Sequence, residues 1–122
     1  MIAGKLLTRT TAHAIRVRVA DNFVKRLCGL MLRGPMDADE ALLLLRCSSI
    51  HTAWMRYPID LLYLNADGEV LRSSPQLRPW RIGIAPAGTV HVLEMPAGSI
   101  ERLGLAQGSR LEHPALVEGL AT

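Results

Sequence analysis

Apolar and polar residues along this chain follow short periods, and the dominant period is two. From Ala14 to Ala20, Ile15, Val17 and Val19 alternate with Arg16 and Arg18, which predicts a strand with one buried and one wet face. Ala41 to Leu45 is unbroken aliphatic sequence, as expected of a strand covered on both sides. Ile59 to Leu64 predicts a further strand. Asn65-Ala66-Asp67-Gly68 follows as a tight turn in which Gly68 takes a positive φ, and Glu69 to Arg72 returns as the second arm of a hairpin. Thr89 to Met95 predicts another strand, stopped by Pro96.

A helical period occurs in two places. Asn22 to Leu32 carries the stripe Phe23, Leu27, Leu30 and Met31, with Asp21 placed to cap it and Gly34-Pro35 placed to end it. Ser99 to Leu103 predicts a shorter helical turn, opened by Ser99 as N-cap and closed at Gly104. Ser73 to Ala87, with Pro75, Pro79, Gly83 and Pro86, does not suit a central strand and is expected to be a long exposed loop. The sum is a mainly β fold: an antiparallel β-sandwich or flattened barrel with one helix near 22–32 and a helical turn near 99–103. Helices do not alternate with strands, which argues against a parallel α/β sheet.

The 122 residues suit a single domain spanning 1–122. The net charge of +3 is mild and the arginines are spread along the chain. With few aromatic residues to stack bases, nucleic acid is not an expected partner. No apolar run approaches the ~20 residues that span a bilayer, so no membrane association is expected. Lys5, Arg9, Arg16 and Arg18 fall where a signal peptide would have its apolar middle, and the expected location is the cytoplasm.

Chemistry-bearing residues concentrate between Cys47 and Asp60. His51, Trp54 and Asp60 lie there, and strand alternation puts Asp60 on one face with Leu62 and Leu64. Glu94 is the second acid inside an apolar strand, sharing a face with Val90 and Val92. A carboxylate stranded among aliphatics costs several kcal/mol, so each needs local neutralisation. For Asp60 the candidate partners are Arg26, Arg33, His51 and the backbone amides before Pro58. Cys47 and His51 supply two of the four ligands of a structural zinc site, and His13, His91 and His113 are scattered, so no metal is expected. No phosphate-cradling glycine loop and no Gly-x-Ser-x-Gly elbow occurs, and no cofactor is expected. Trp80, between Arg78 and Arg81 in the expected loop, has the composition of a partner-binding hot spot.

In order, the chain carries Arg26-Leu27-Cys28-Gly29-Leu30-Met31 with Arg33, then His51-Thr52-Ala53-Trp54-Met55, Pro58-Ile59-Asp60, Asp67-Gly68 and Leu93-Glu94-Met95-Pro96-Ala97-Gly98. This series resembles the domain of unknown function 192 family over roughly residues 9 to 112. Arg56-Tyr57 stands where many members have Asn-Thr, and Gly108-Ser109 where many have Gly-Asp. The resemblance implies a mostly β fold and no established activity.

Two functions are therefore carried forward. The first is a non-catalytic accessory domain that binds a small ligand or a protein partner, with Arg26, His51, Trp54, Asp60, Trp80 and Glu94 as the candidate contacts. The alternative is a hydrolase acting on a sugar or ester, in which His51, Asp60 and Glu94 perform the acid–base chemistry. That alternative requires the carboxyls of Asp60 and Glu94 to converge within ~5–9 Å.

Overall fold

A computed structural model describes residues 2–20, 36–46, 50–51, 58–78, 82–83 and 85–116. Within them the chain runs through β1 (Ile2–Leu7), β2 (Ala12–Ala20), β3 (Glu40–Leu44), β4 (Ile50–His51), β5 (Ile59–Leu64), β6 (Val70–Leu77), β7 (Ile82–Gly83), β8 (His91–Pro96), helix α1 (Ser99–Leu103) and β9 (Arg110–Glu112). Residues 114–116 add a helical turn. The helix expected over 22–32 lies outside the described residues.

Seven strands form one sheet in the order β6-β5-β8-β3-β2-β1-β9, and β4 pairs with β7 as a separate ribbon. All pairings are antiparallel except β2 with β3, where Arg16 lies beside Glu40 and Ala20 beside Leu44. The sheet curls until its outermost strands meet at one end. Glu69 bridges to Arg110, Val70 N–H donates to the Ser109 carbonyl (2.7 Å), and Leu111 N–H donates to the Gly68 carbonyl (2.9 Å). The result is a mainly β half-barrel with two short helical segments.

Each face of the sheet carries its own apolar cluster. The first contains Leu6, Ile15, Val17, Leu43, Leu62, Leu64 and Leu93, and Ile100 of α1 and Leu105 pack into it. The second contains Ala20, Leu42, Leu44, Ile59, Leu61, Tyr63 and Val92, with Leu77 and Ala85 packed against it. The central strands β3, β5 and β8 are thus buried on both sides, which is why they read as near-continuous aliphatic runs. Each fully buried leucine contributes roughly 1.5–3 kcal/mol. β2 keeps the alternation expected of it, with Ile15 and Val17 buried and Arg16 and Arg18 exposed.

The hairpin turn forms as its residues dictate. Asn65 Oδ1 accepts from the amides of Asp67 and Glu69, both at 2.9 Å, and Gly68 sits at φ 86°. A Cβ at Gly68 would lie 2.5 Å from the Leu111 carbonyl oxygen, so both the conformation and the close approach require glycine.

Two expectations are corrected. The stretch from Ser73 is not a loop throughout: β6 continues to Leu77, and Ile82–Gly83 forms the ribbon with β4. β6 is an edge strand, and at Ser74–Leu77 it bulges against β5, so Pro75 removes no ladder bond that a central strand would need. Ser99 is not the N-cap of α1. Gly98 holds that place at φ 92°, and the Ser99 hydroxyl instead donates to the Pro96 carbonyl at 2.6 Å.

Candidate functional site

Asp60 is fully buried, and both of its carboxylate oxygens are engaged by backbone amides. Oδ1 accepts from Gln76 N–H at 2.7 Å and Oδ2 from Ile100 N–H at 2.8 Å. The first donor belongs to the β6 bulge, where Pro75 and Gln76 oppose the single residue Asp60 and Gln76 adopts φ 51°. The second lies in the first turn of α1, which receives no side-chain cap from its own N-terminal residue. Asp60 therefore ties the edge-strand bulge to α1, and charge-assisted bonds offset the cost of burying it. These partners are not the amides before Pro58, and neither is a side chain.

Glu94 has the opposite environment. It is 3% exposed, and its Oε2 has no hydrogen-bond partner among the described residues. The register places it between Leu42 of β3 and Leu61 of β5. Both are members of the second cluster. Burial alone pushes its carboxyl up to about 8, so at neutral pH it is a carboxylic acid.

The same register separates the two acids. Asp60 lies opposite Met95, a member of the first cluster, whereas Glu94 lies opposite Leu61 of the second. Side chains of directly paired residues share a face, so Asp60 and Glu94 point to opposite sides of the sheet. The convergent acid pair that the hydrolase alternative requires is not formed, and the polar hub expected from the sequence is divided.

On the Glu94 face the structure adds a residue that sequence reasoning passed over. Tyr63, beside Val92 in the register, is fully buried, and its hydroxyl has no hydrogen-bond partner among the described residues. Burial raises its ionisation, opposed by Ser74 and Arg72 on β6. The available signal was a polar tip inside the otherwise apolar run Ile59–Leu64.

His51 pairs with Ile82 in the β4–β7 ribbon. Leu77 precedes β7 and Ala85 follows it, and both pack on the second cluster. The His51 side chain, like Arg26, Arg33, Trp54 and Trp80, lies outside the described residues.

His91, scattered by sequence spacing, has a defined place. It is 2% exposed, and burial, together with the nearby Arg46, lowers its pKa. A separate open groove of about 750 Å³ lies at the far margin of the sheet, where Lys5, Asp67, Glu69, Arg110 and Glu112 contribute to its wall. Neither Asp60 nor Glu94 is among the described residues that line it. No group of three or more potential metal ligands occurs among the described residues, and no helix there is long and apolar enough to cross a membrane.

The fold defines a half-barrel β protein with two buried acids, Asp60 held by backbone amides and Glu94 with its Oε2 unpartnered among the described residues. Residues 5–113 match the DUF192 family, described as "Uncharacterized ACR", and the chain belongs to it. It is 40% identical over 109 residues to a UPF0127 protein of Pyrococcus furiosus, covering 87% of this chain and 93% of that one. A UPF0127 protein of Pyrococcus abyssi is 34% identical over 100 residues, covering 80% and 85%. Among solved structures, a Sinorhizobium meliloti protein provisionally designated a transcription regulator superposes with a TM-score of 0.83 at 29% identity, over 90% of this chain and 91% of that one. A protein of unknown function from Novosphingobium aromaticivorans gives 0.85 at 22% identity, over 92% and 84%, and shares the fold.

Proposed function

We propose that this domain is a non-catalytic binding module whose small-molecule ligand sits against the second face of the sheet at Glu94. One observation carries the reading: a buried carboxyl oxygen that nothing in the described protein satisfies. Leaving such a group orphaned costs about 1–3 kcal/mol or more, a large part of a domain's net stability. A fold retains that penalty when a ligand relieves it or a function uses it. The Tyr63 hydroxyl on the same face, with Ser74 beside it, adds a second polar contact within a largely aliphatic wall, the usual composition of a ligand site.

On this reading His51, Trp54 and Arg26 complete the ligand contacts, Trp80 serves a protein partner, and Asp60 is a positioning residue that holds β6 and α1 in place. Nucleic acid is not a partner. Arg16 is held by Asp39 at 2.9 Å and Asp37 at 3.3 Å, and Arg110 by Glu112 at 3.4 Å, so these cations are matched within the protein. The regulator designation stays with the Sinorhizobium protein. The domain works in the cytoplasm without cofactor or metal.

The test is a fragment screen read by protein NMR. Hits are expected to perturb the amides of Leu42, Leu61, Val92 and Glu94. Perturbations confined to Lys5, Glu112 and the far groove would refute this placement.

A further inference from the structure

We infer that the groove at the far margin of the sheet is a second binding site, independent of the one at Glu94. Its ligand is a short free peptide of small residues, charged at both termini. The groove measures about 750 Å³, within the roughly 300–1,000 Å³ range of small-ligand sites. Its described lining comes from β1 and β2, from β9 with the turn that follows it, and from the β5–β6 hairpin. The exposed Ala3 and Ala14 present only methyl groups to it, and Pro114 and Leu116 add apolar surface.

The ends of the ligand are decided by how the charges are arranged. Glu112 lies directly across from Lys5, and Glu69 directly across from Arg110. Arg110 and Glu112, both on β9, hold each other at 3.4 Å. Lys5, Asp67 and Glu69 are in no ion pair among the described residues. The groove therefore offers an ammonium on β1 and carboxylates on the hairpin, with a matched pair between them. Arg16 lies next to Ala3 in the register, but Asp39 holds it at 2.9 Å. His113 is buried, and its Nδ1 accepts from the Ala115 amide. A simple anion is opposed by Asp67 and Glu69, and a simple amine by Lys5. A ligand with opposite charges at its two ends is matched at both.

The separation sets the length. Lys5 and Glu69 flank β9 on either side and are offset along it from Glu112 to Arg110. At ~4.8 Å per strand and ~3.4 Å per residue, their Cα atoms are roughly 12 Å apart. An extended tripeptide spans about 10–11 Å, and the flexible side chains take up the remainder. A single amino acid is too short, and a segment inside a longer chain has no termini to offer.

Trialanine tests this, alongside N-acetyl-trialanine and trialanine amide, each of which lacks one terminal charge. Binding is followed through the backbone amides of ¹⁵N-labelled protein at low ionic strength, where exposed charges are least screened. Trialanine is expected to shift Ala3, Lys5, Asp67 and Glu112 to saturation. Each blocked peptide is expected to bind about threefold more weakly or worse. Asp67→Asn combined with Glu69→Gln should weaken trialanine about as much as acetylation does and leave the acetylated peptide unaffected. Lys5→Gln should act on trialanine as amidation does and leave the amide unaffected. Lys5, Asp67 and Glu69 are exposed, so these variants keep the fold.

Affinity indifferent to blocking either terminus overturns the assignment, as do variants that weaken charged and blocked peptides alike. Groove amides unmoved by trialanine up to its solubility limit overturn it too. None of these outcomes bears on the ligand at Glu94.

Discussion

His91 Nδ1 accepts a hydrogen bond of 3.0 Å from the backbone N–H of Arg46, a residue held in the left-handed region at φ 54°. The bond fixes the chain as it leaves β3, and it requires a ring nitrogen without a proton. Burial and Arg46 lower the His91 pKa below 6.5, so the folded chain binds fewer protons there than the unfolded one. The associated stability is complete above 6.5 and is lost as the pH falls through the lowered folded value. His91→Phe leaves the Arg46 amide orphaned and is expected to cost about 1–3 kcal/mol. His91→Asn keeps an acceptor and is expected to recover part of that loss while removing the acid-side pH dependence, measured by urea unfolding across the acid range.

Glu94 gives the opposite slope. Unfolded, it titrates near 4.5; folded, near about 8. Between those values the native state holds the extra proton, so stability falls as the pH rises and this contribution is gone above the folded value. Each unit is worth about 1.4 kcal/mol, so the loss across the window is on the order of a few kcal/mol. Urea midpoints should therefore decline from pH 4.5 to about 8 in the wild type and stay level in Glu94→Gln. A wild-type curve parallel to that of Glu94→Gln would show that Glu94 is not held neutral.

Asp60 tests the structural role. Asp60→Ala strands the amides of Gln76 and Ile100, with an expected cost of about 2–4 kcal/mol. That corresponds to a fall in melting temperature of roughly 6–20 °C for a domain of this size. Asp60→Asn keeps one acceptor and should fall between the wild type and Ala. An Asp60→Ala protein as stable as the wild type would remove Asp60 from the framework.

Gly68 combines a backbone at φ 86° with contact against β9. Gly68→Ala would drive a Cβ to 2.5 Å from the Leu111 carbonyl oxygen and 2.7 Å from Leu116 Cδ1. The closure of the half-barrel should loosen at a cost of about 2–4 kcal/mol. Hydrogen exchange is expected to quicken first at Val70 and Leu111, whose amides make the closing bonds. Uniform protection in the variant would show that this contact does not hold the closure.

Much of the fold was legible because it is local. Period-two alternation located β2, an uninterrupted aliphatic run located β3, mostly apolar runs located β5 and β8, and Asn65 to Gly68 announced its turn. β1 and β9 were missed. Ile2–Leu7 contains Gly4 and Lys5, and Arg110–Glu112 carries a charge on either side of one leucine. Neither has a strand signal of its own, and pairing with neighbours makes them strands. Pro75 misled for a related reason, since only the sheet order reveals that β6 stands at an edge.

The sequence by itself determined that Asp60 and Glu94 would each be buried, because every strand reports which of its own residues share a face. Only the tertiary structure decided that one carboxyl would be satisfied by the amides of Gln76 and Ile100, and that Oε2 of the other would meet no partner among the described residues. Facing is a relation between strands, set by hydrogen-bond register across residues far apart in the chain. Alternation within a single strand fixes parity but carries no information about the parity of its neighbour.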